Sequence, residues 1–286
     1  MISSTLLLLI GLVDLAGGCS RKVCIALRVL ALLGVPALAF WGLGMNPISA
    51  GVCALAACGW IWVSTVPSSK LSARPHEEPR KAAPRLWPAI MLFLSVFGIS
   101  AYDRGYEAAS GFLVDMYSLA NPGFTSLFPL EVSMAAVAVS VFLTRSANIV
   151  TQSALGWAKK EDTKAVIEDP AGEEPEGVQR ENKWELFISS RKVASLRAGA
   201  KSEIGLKLKG GRLIGPIERL LIVVLAFAGA PQIIAGLAAA KGVVRFPEIS
   251  EDRTSGSKAE EFLVGSLASW AMAAVAILYL TLVRSS

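Results

Sequence analysis

Long apolar blocks with few ionised side chains recur along this 286-residue sequence, each about 15 to 27 residues long. At about 1.5 Å per residue, a helix of that length covers the roughly 30 Å hydrocarbon layer of a bilayer. The chain is 53% hydrophobic and 18% charged, more apolar and less charged than a typical soluble domain. A single soluble domain is excluded, as is a transmembrane barrel, whose strands would alternate in short runs. The sequence predicts an all-α, polytopic transmembrane helical bundle.

Hydropathy windows of about 19 residues predict seven spans. The predicted spans are 3–18, 25–43, 48–66, 87–102, 128–146, 214–236 and 261–283. Basic residues concentrate in the connections 19–24, 67–86 and 147–213, whereas 44–47 and 103–127 together hold one arginine. Because cytoplasmic connections of membrane proteins are enriched in Lys and Arg, we expect the N-terminus outside and the loop 147–213 in the cytoplasm.

The interval 213–246 admits two topologies. Hydropathy favours one span, because the uncharged stretch 220–240 has the roughly 20 residues that a crossing needs. This single span, kinked at Pro231, is our expectation. It gives seven spans in all and places Arg284 in the cytoplasm.

Turn chemistry favours a hairpin over the same interval instead. Gly229 can end one helix and Pro231 can begin another. The hairpin gives eight spans and an outside C-terminus, and it brings Glu218 close enough to meet Lys241 or Arg245. Each arm would be slightly shorter than the hydrocarbon layer.

The residue types of catalytic and metal sites are scarce. The four cysteines form no CxxC pair, and neither HExxH nor GxSxG occurs. His76, the one histidine, lies in the Pro-rich stretch 67–84, whose composition is typical of an extended linker. We expect no enzyme activity, catalytic residue, cofactor or metal site. Nucleic-acid binding is not expected either, because no recognition pattern accompanies the net charge of +5.

Two ionisable residues near the predicted first turn of the bundle are candidates for an intramembrane ion pair. Asp14 precedes Gly17-Gly18 by one turn, and Arg28 lies one to two turns into the second span. A charged side chain inside a span costs about 2.5–3.5 kcal/mol on insertion scales, so each of these residues requires a partner. We expect the two to pair or to share one polar cluster near the cytoplasmic face. A proton or ion pathway is the alternative.

The loop 147–209 divides by charge, since residues 161–181 carry a net charge of −6 and residues 183–212 one of +6. The acidic part has almost no large apolar residue and is expected to be disordered. The basic part predicts an interfacial helix, from residue 183 to about residue 201, on anionic lipid headgroups. The residues of this surface helix are Trp184, Phe187, Ile188, Arg191 and Lys192. A solvated charged loop is the alternative.

The segment 210–286 carries charges at the ends of its apolar runs. Its charged candidates for one polar cluster are Arg212, Glu218, Arg219, Lys241, Arg245 and Glu248. Three of them fall at i, i+4 and i+7 and so share a helix face. They would form either an internal ion-pair cluster or a site for headgroups or a partner.

The ordered sequence GGRLIGPIER, AKGVVRFPEI and KAEEFLVGS within this segment resembles an uncharacterised family of bacterial integral membrane proteins, actinobacterial members included. The resemblance covers about 75 residues from Gly210 onward and implies a bacterial inner membrane location. It indicates no particular activity or substrate. With helices in 1–146 and the loop 147–209, the chain has three parts. We expect a non-enzymatic membrane component that binds lipids, a partner membrane protein or a second copy, in envelope biogenesis or maintenance. A small-solute or lipid transporter is the alternative.

Overall fold

The structure is a computed structural model. It describes residues 1–18, 20–65, 86–103, 110–119, 122–156, 183–188, 191–197, 211–251 and 257–285. The linker with His76 and the acidic stretch 161–181, where we predicted disorder, lie outside the described residues, so those predictions stay predictions.

Helices dominate the described chain. Their bounds are α1 Ile2–Ala16, α2 Arg21–Leu43, α3 Pro47–Thr65, α4 Trp87–Asp103, α5 Phe112–Ser118, α6 Pro122–Leu127, α7 Leu130–Thr144, α8 Ser146–Gly156, α9 Gly211–Phe227, α10 Pro231–Glu251 and α11 Ser257–Arg284. Two strands, β1 Lys183–Ile188 and β2 Arg191–Arg197, form an antiparallel pair. The helical class predicted from the apolar blocks is therefore confirmed for the described residues, apart from this pair.

The first helix lies at the centre of the molecule. Twelve of the 15 residues of α1 are buried, and α7, α2, α3 and α4 pack around it. At 15 residues α1 is only about 22 Å long, shorter than a bilayer core. A helix surrounded by protein does not have to cover the hydrocarbon layer by itself, because its neighbours shield it from lipid.

The N-terminal end of α1 is attached to two other helices through polar groups. Asp103, at the end of α4, accepts a hydrogen bond of 2.8 Å from the Ile2 backbone N–H, which satisfies one of the free donors of a helix N-terminus. In the same turn, the hydroxyls of Ser3 and Ser4 lie 3.0 and 2.9 Å from the Tyr279 hydroxyl of α11. Residues of α1 and α11 therefore belong to one core.

Outer helices expose large apolar side chains, as helices in contact with lipid do. Leu30, Leu33 and Trp41 of α2 and Leu55 of α3 are each more than two-thirds exposed. Three described helices are long and apolar enough to cross a membrane, namely Arg21–Leu43, Pro47–Ser64 and Phe262–Arg284. The pair α7 and α8, bent by 45° at Arg145, makes a fourth if it counts as one span. The predicted number of about seven is thus not confirmed, although six of the seven intervals each correspond to one main described helix and the seventh, 214–236, overlaps two.

The expectation of a single kinked span over 213–246 is wrong. Two separate helices, α9 and α10, occupy this interval, and Gly229 between them has φ of 69°, a left-handed conformation that glycine adopts without strain. Lys241 Nζ lies 2.7 Å from Glu218 Oε2, whereas one straight helix would separate these residues by about 34 Å. The chain therefore turns back on itself, as in the hairpin alternative.

The expectation of a surface helix over residues 183–201 is also wrong, because residues 183–197 form the antiparallel pair. Lys183 pairs with Arg197 and Ile188 with Arg191, with an irregularity between Leu186 and Phe187. The helix prediction used the spacing of Trp184, Phe187 and Ile188, but Trp184, Leu186 and Ile188 also recur with the period of two that is typical of a strand. The lipid contact proposed for Trp184, Phe187, Ile188, Arg191 and Lys192 concerns side chains outside the described part of the structure.

Candidate functional site

Besides the hydroxyl contacts at the start of α1, three groups of charged and polar side chains lie inside the described helical body. The first surrounds the C-terminal end of α1. The Asp14 carboxylate is 3% exposed and accepts a hydrogen bond of 3.0 Å from Trp60 Nε1 of α3. Ser146 Oγ, at the start of α8, is buried beside this carboxyl without a hydrogen-bond partner among the described residues. Arg28 and Arg145 interact with Asp14 electrostatically over a longer distance.

Two glycines give the arginines room to lie over the backbone at the end of α1. A Cβ added to Gly17 would be 2.9 Å from Arg28 Nη2 and 3.5 Å from Arg145 Nη2. A Cβ added to Gly18 would be 2.2 Å from Arg145 Nη1, closer than side chains tolerate. Arg28 Nε also donates to the Val13 carbonyl at 3.3 Å. Any side chain at Gly17 or Gly18 would therefore displace a guanidinium group.

The sequence predicted that Asp14 and Arg28 either pair directly or share one polar cluster. In the structure they share one polar cluster. No ion pair joins them among the described residues. Sequence reasoning missed Trp60, Arg145 and Ser146, which come from α3 and from the junction of α7 and α8. Arg145 is a basic residue at the end of the fifth predicted span, 128–146, but nothing in the sequence relates it to α1.

The second group is centred on Arg219 of α9, which is 2% exposed. Its guanidinium donates to Leu143 O of α7 at 3.1 Å, to Ser269 Oγ of α11 at 3.0 Å and to Asn148 Oδ1 of α8 at 3.0 Å. A longer bond of 3.3 Å reaches Thr151 Oγ1. The bend between α7 and α8 frees the Leu143 carbonyl from regular helical bonding, and Arg219 replaces the missing donor.

The third group lies between α9, α10 and α11. Lys241 Nζ contacts both carboxylate oxygens of Glu218 at 2.8 and 2.7 Å, and Trp270 Nε1 donates to Glu218 Oε1 at 2.9 Å. Lys241 Nζ also lies 5.7 Å from the centre of the Trp270 ring, within the range of a cation–π interaction. The Glu218 carboxylate is thus held by one residue from each neighbouring helix.

A groove of about 300 Å³ adjoins this ion pair, a volume at the lower end of the range for ligand pockets. Its walls are apolar apart from Glu218 and the indole of Trp270. The lining residues are Glu218, Ile222, Pro231, Ile234, Ala235, Leu237, Ala238 and Trp270. We call it the α9–α11 groove. A second, 20 Å³ void between α1, α4, α7 and α11 is lined by core side chains and is too small for a ligand.

The structure brings together only part of the polar cluster predicted for the C-terminal segment. Glu218 and Lys241 meet, whereas Arg219 points to α7, α8 and α11, because consecutive residues of a helix are about 100° apart. Arg245 lies exposed one turn beyond Lys241. The backbones of Arg212 and Glu248 belong to α9 and α10, and their side chains lie outside the described part of the structure.

Among the described residues, no three His, Cys, Asp or Glu side chains come close enough together to hold a metal ion. Comparison with known proteins adds no relative: no family model, curated protein or solved structure matches this chain. Function is therefore inferred from the geometry of the three polar groups and the groove.

Proposed function

We propose that this protein is a non-enzymatic, polytopic integral membrane protein that holds a membrane lipid with one acyl chain in the α9–α11 groove. The groove carries the proposal, because it combines apolar walls with a charged group at one end. The groove has a volume of about 300 Å³ and is open to its surroundings, since Pro231 and Ala235 on its wall are exposed. Hydrocarbon from the bilayer makes dispersion contacts with these apolar walls, whereas water solvates them poorly.

The polar end of the groove supports a lipid over a wholly apolar ligand. Lys241 is about one-quarter exposed beside the buried Glu218, so its ammonium can reach a headgroup while the carboxylate holds it in place. Trp270, next to both, has the amphipathic ring that membrane proteins use at the boundary between acyl chains and headgroups. We also propose that the protein lies in the bacterial inner membrane with residues 147–213 in the cytoplasm. The basic residues of the predicted cytoplasmic connections support this orientation, and the family resemblance supports the location.

Filling the groove tests the proposal. Ala238 lines the groove, and its neighbour Ala239 is exposed and does not. We expect Ala238→Trp to lose the lipid that co-purifies with the wild-type protein in mild detergent, because the indole occupies the space of the acyl chain. Ala239→Trp adds the same side chain outside the groove and should retain the lipid. Native mass spectrometry counts the bound lipid. Equal retention by both variants would contradict the proposal.

A lipid transporter is the second candidate, and the bent pair α7 and α8 favours it, since transporters place their sites at interrupted helices. Here Arg219 occupies the interruption through its bond to Leu143, so transport would require these contacts to exchange. Movement of a fluorescent phospholipid between leaflets of proteoliposomes tests this candidate. Acceleration over protein-free vesicles would favour transport, and no acceleration together with retained lipid would favour binding alone.

A further inference from the structure

The arginines over Gly17 and Gly18 have more hydrogen-bond donors than acceptors. Each guanidinium carries five N–H groups. Arg28 donates through Nε to the Val13 carbonyl, but neither of its Nη atoms donates to a described residue. Arg145 donates to none, and neither arginine has a carboxylate within ion-pair distance in the described ranges. Both side chains are partly exposed, so a ligand can reach them.

Attraction to the carbonyl groups at the C-terminal end of α1 explains the position of the Arg28 guanidinium but not that of Arg145. The C-terminal carbonyls of a helix carry partial negative charge and attract a cation, and the bond from Arg28 to Val13 is a contact of this kind. Arg145 lies directly over Gly18 without such an acceptor. The contact with the end of α1 therefore leaves the whole Arg145 guanidinium and the Nη groups of Arg28 available to bind a ligand.

The charge around this position is also unbalanced. Asp14 is the one acidic residue among those described that interacts with the two arginines electrostatically, and its carboxylate accepts from Trp60. Arg21 and Lys22, at the start of α2, are exposed at the same end of the bundle. The local excess of positive charge favours an anion.

We infer that Arg28 and Arg145 form a binding site for a phosphate group over Gly17-Gly18. The planar guanidinium fork matches phosphate oxygens in a two-point contact, and the glycines leave the space above the backbone free of Cβ atoms. The phosphate belongs either to the headgroup of an anionic phospholipid at this face of the membrane or to free inorganic phosphate. This site is separate from the α9–α11 groove, so either proposal can fail without the other.

Binding of two probes to the purified full chain in detergent tests the inference. One probe is inorganic phosphate, compared with chloride at equal ionic strength, and the other is phosphatidylglycerol, compared with phosphatidylcholine. The rise in unfolding temperature and native mass spectrometry report binding. Stabilisation by inorganic phosphate identifies free phosphate as the ligand, and stabilisation by phosphatidylglycerol alone identifies the lipid headgroup. Binding of neither probe would overturn the inference.

Charge variants locate the site. Arg145→Gln should weaken binding of the effective probe by at least about tenfold, as expected for losing a charge-assisted bidentate contact. Because Arg145 has no hydrogen bond to a described residue, its loss removes only the longer-range attraction to Asp14 and should lower the unfolding temperature without ligand only slightly. Arg21→Gln removes the same charge outside the site and should weaken binding less than about twofold. An equal loss in both variants would overturn the inference in favour of general surface charge.

Two further variants keep the test decisive if Arg145→Gln folds poorly. Gly18→Ala places a Cβ 2.2 Å from Arg145 Nη1 and displaces this guanidinium, so it should weaken binding while every charge remains. Asp14→Asn removes the nearest negative charge and keeps an oxygen for the Trp60 N–H, so it should strengthen binding. Unchanged binding in both variants would contradict the proposed position.

Discussion

Replacing Arg219 by Met should destabilise the bundle, because this guanidinium joins three helices to α9. The replacement removes four hydrogen bonds, to Leu143, Ser269, Asn148 and Thr151. Bonds to a charged group contribute about 1.5–3 kcal/mol each, but the unfolded state recovers the desolvation energy of the guanidinium, which is several kcal/mol. The sum of the bonds therefore overestimates the effect.

The groups that remain after the replacement determine the expected magnitude. Met fills much of the volume of Arg, yet the Leu143 carbonyl at the bend and the buried Ser269 hydroxyl lose their donor. Leaving a buried polar group without a partner costs about 1–3 kcal/mol. We expect a loss of about 3 kcal/mol in the free energy of unfolding, within the range for breaking buried charged networks. Such a loss reduces the ratio of folded to unfolded protein by about two orders of magnitude.

Unfolding in mild detergent by added denaturing detergent, followed by circular dichroism, measures this loss. Ser269→Ala is the matched control, because it removes one of the four bonds and should cost about 1 kcal/mol. Arg219→Lys keeps the charge, but one ammonium has three donors and no fork, so we expect an intermediate loss. An Arg219→Met variant within about 0.5 kcal/mol of the wild type would refute the role assigned to this residue, since ordinary surface substitutions fall in that range.

Three other expectations concern topology and packing. Ser285→Cys, in a background without the native cysteines, should react with an impermeant maleimide in intact cells, because the proposed cytoplasmic position of residues 147–213, with α9, α10 and α11 each crossing once, would place the C-terminus outside; protection until lysis would exclude that topology. Gly11→Ala should lower the free energy of unfolding by about 1–3 kcal/mol, because its Cβ would lie 2.9 Å from Val141 Cγ1, whereas Gly98→Ala, with nothing within 4 Å, should be neutral or stabilising in the same assay. Tyr279→Phe should cost about 1 kcal/mol in detergent unfolding, because its hydroxyl contacts two buried serines of α1; no change would show that those contacts are energetically neutral.

The positions of most helices follow from the sequence alone. Hydropathy is a local sum over neighbouring residues, and an apolar run of 15 or more residues has to become a helix wherever backbone groups cannot reach water. For the same reason the sequence identified Asp14 and Arg28 as residues that need polar neighbours. The high cost of an isolated charge inside an apolar environment applies in any tertiary arrangement.

Where local signals compete, the sequence did not decide. Over 213–246, the length of the uncharged stretch favoured one span, whereas Gly229-Ala230-Pro231 favoured a turn. The contact of Glu218 with Lys241 shows that the chain makes the turn. Over 183–197, apolar residues fit both a helical and a strand period. Contact between the two arms of each hairpin is what distinguishes such alternatives, and a hydropathy or periodicity window read along one arm does not contain that information.

Tertiary structure alone decided which apolar helix became the core and which neutral groups surround each charge. Hydropathy does not reveal that α1, one of the shorter helices, is enclosed by four others. The four partners of Arg219 lie between 50 and 76 residues away along the chain. The Trp60 and Arg145 side chains likewise approach Asp14 from other helices. These contacts depend on the register and crossing of packed helices, which are set by side-chain fit over the whole bundle rather than by any single segment.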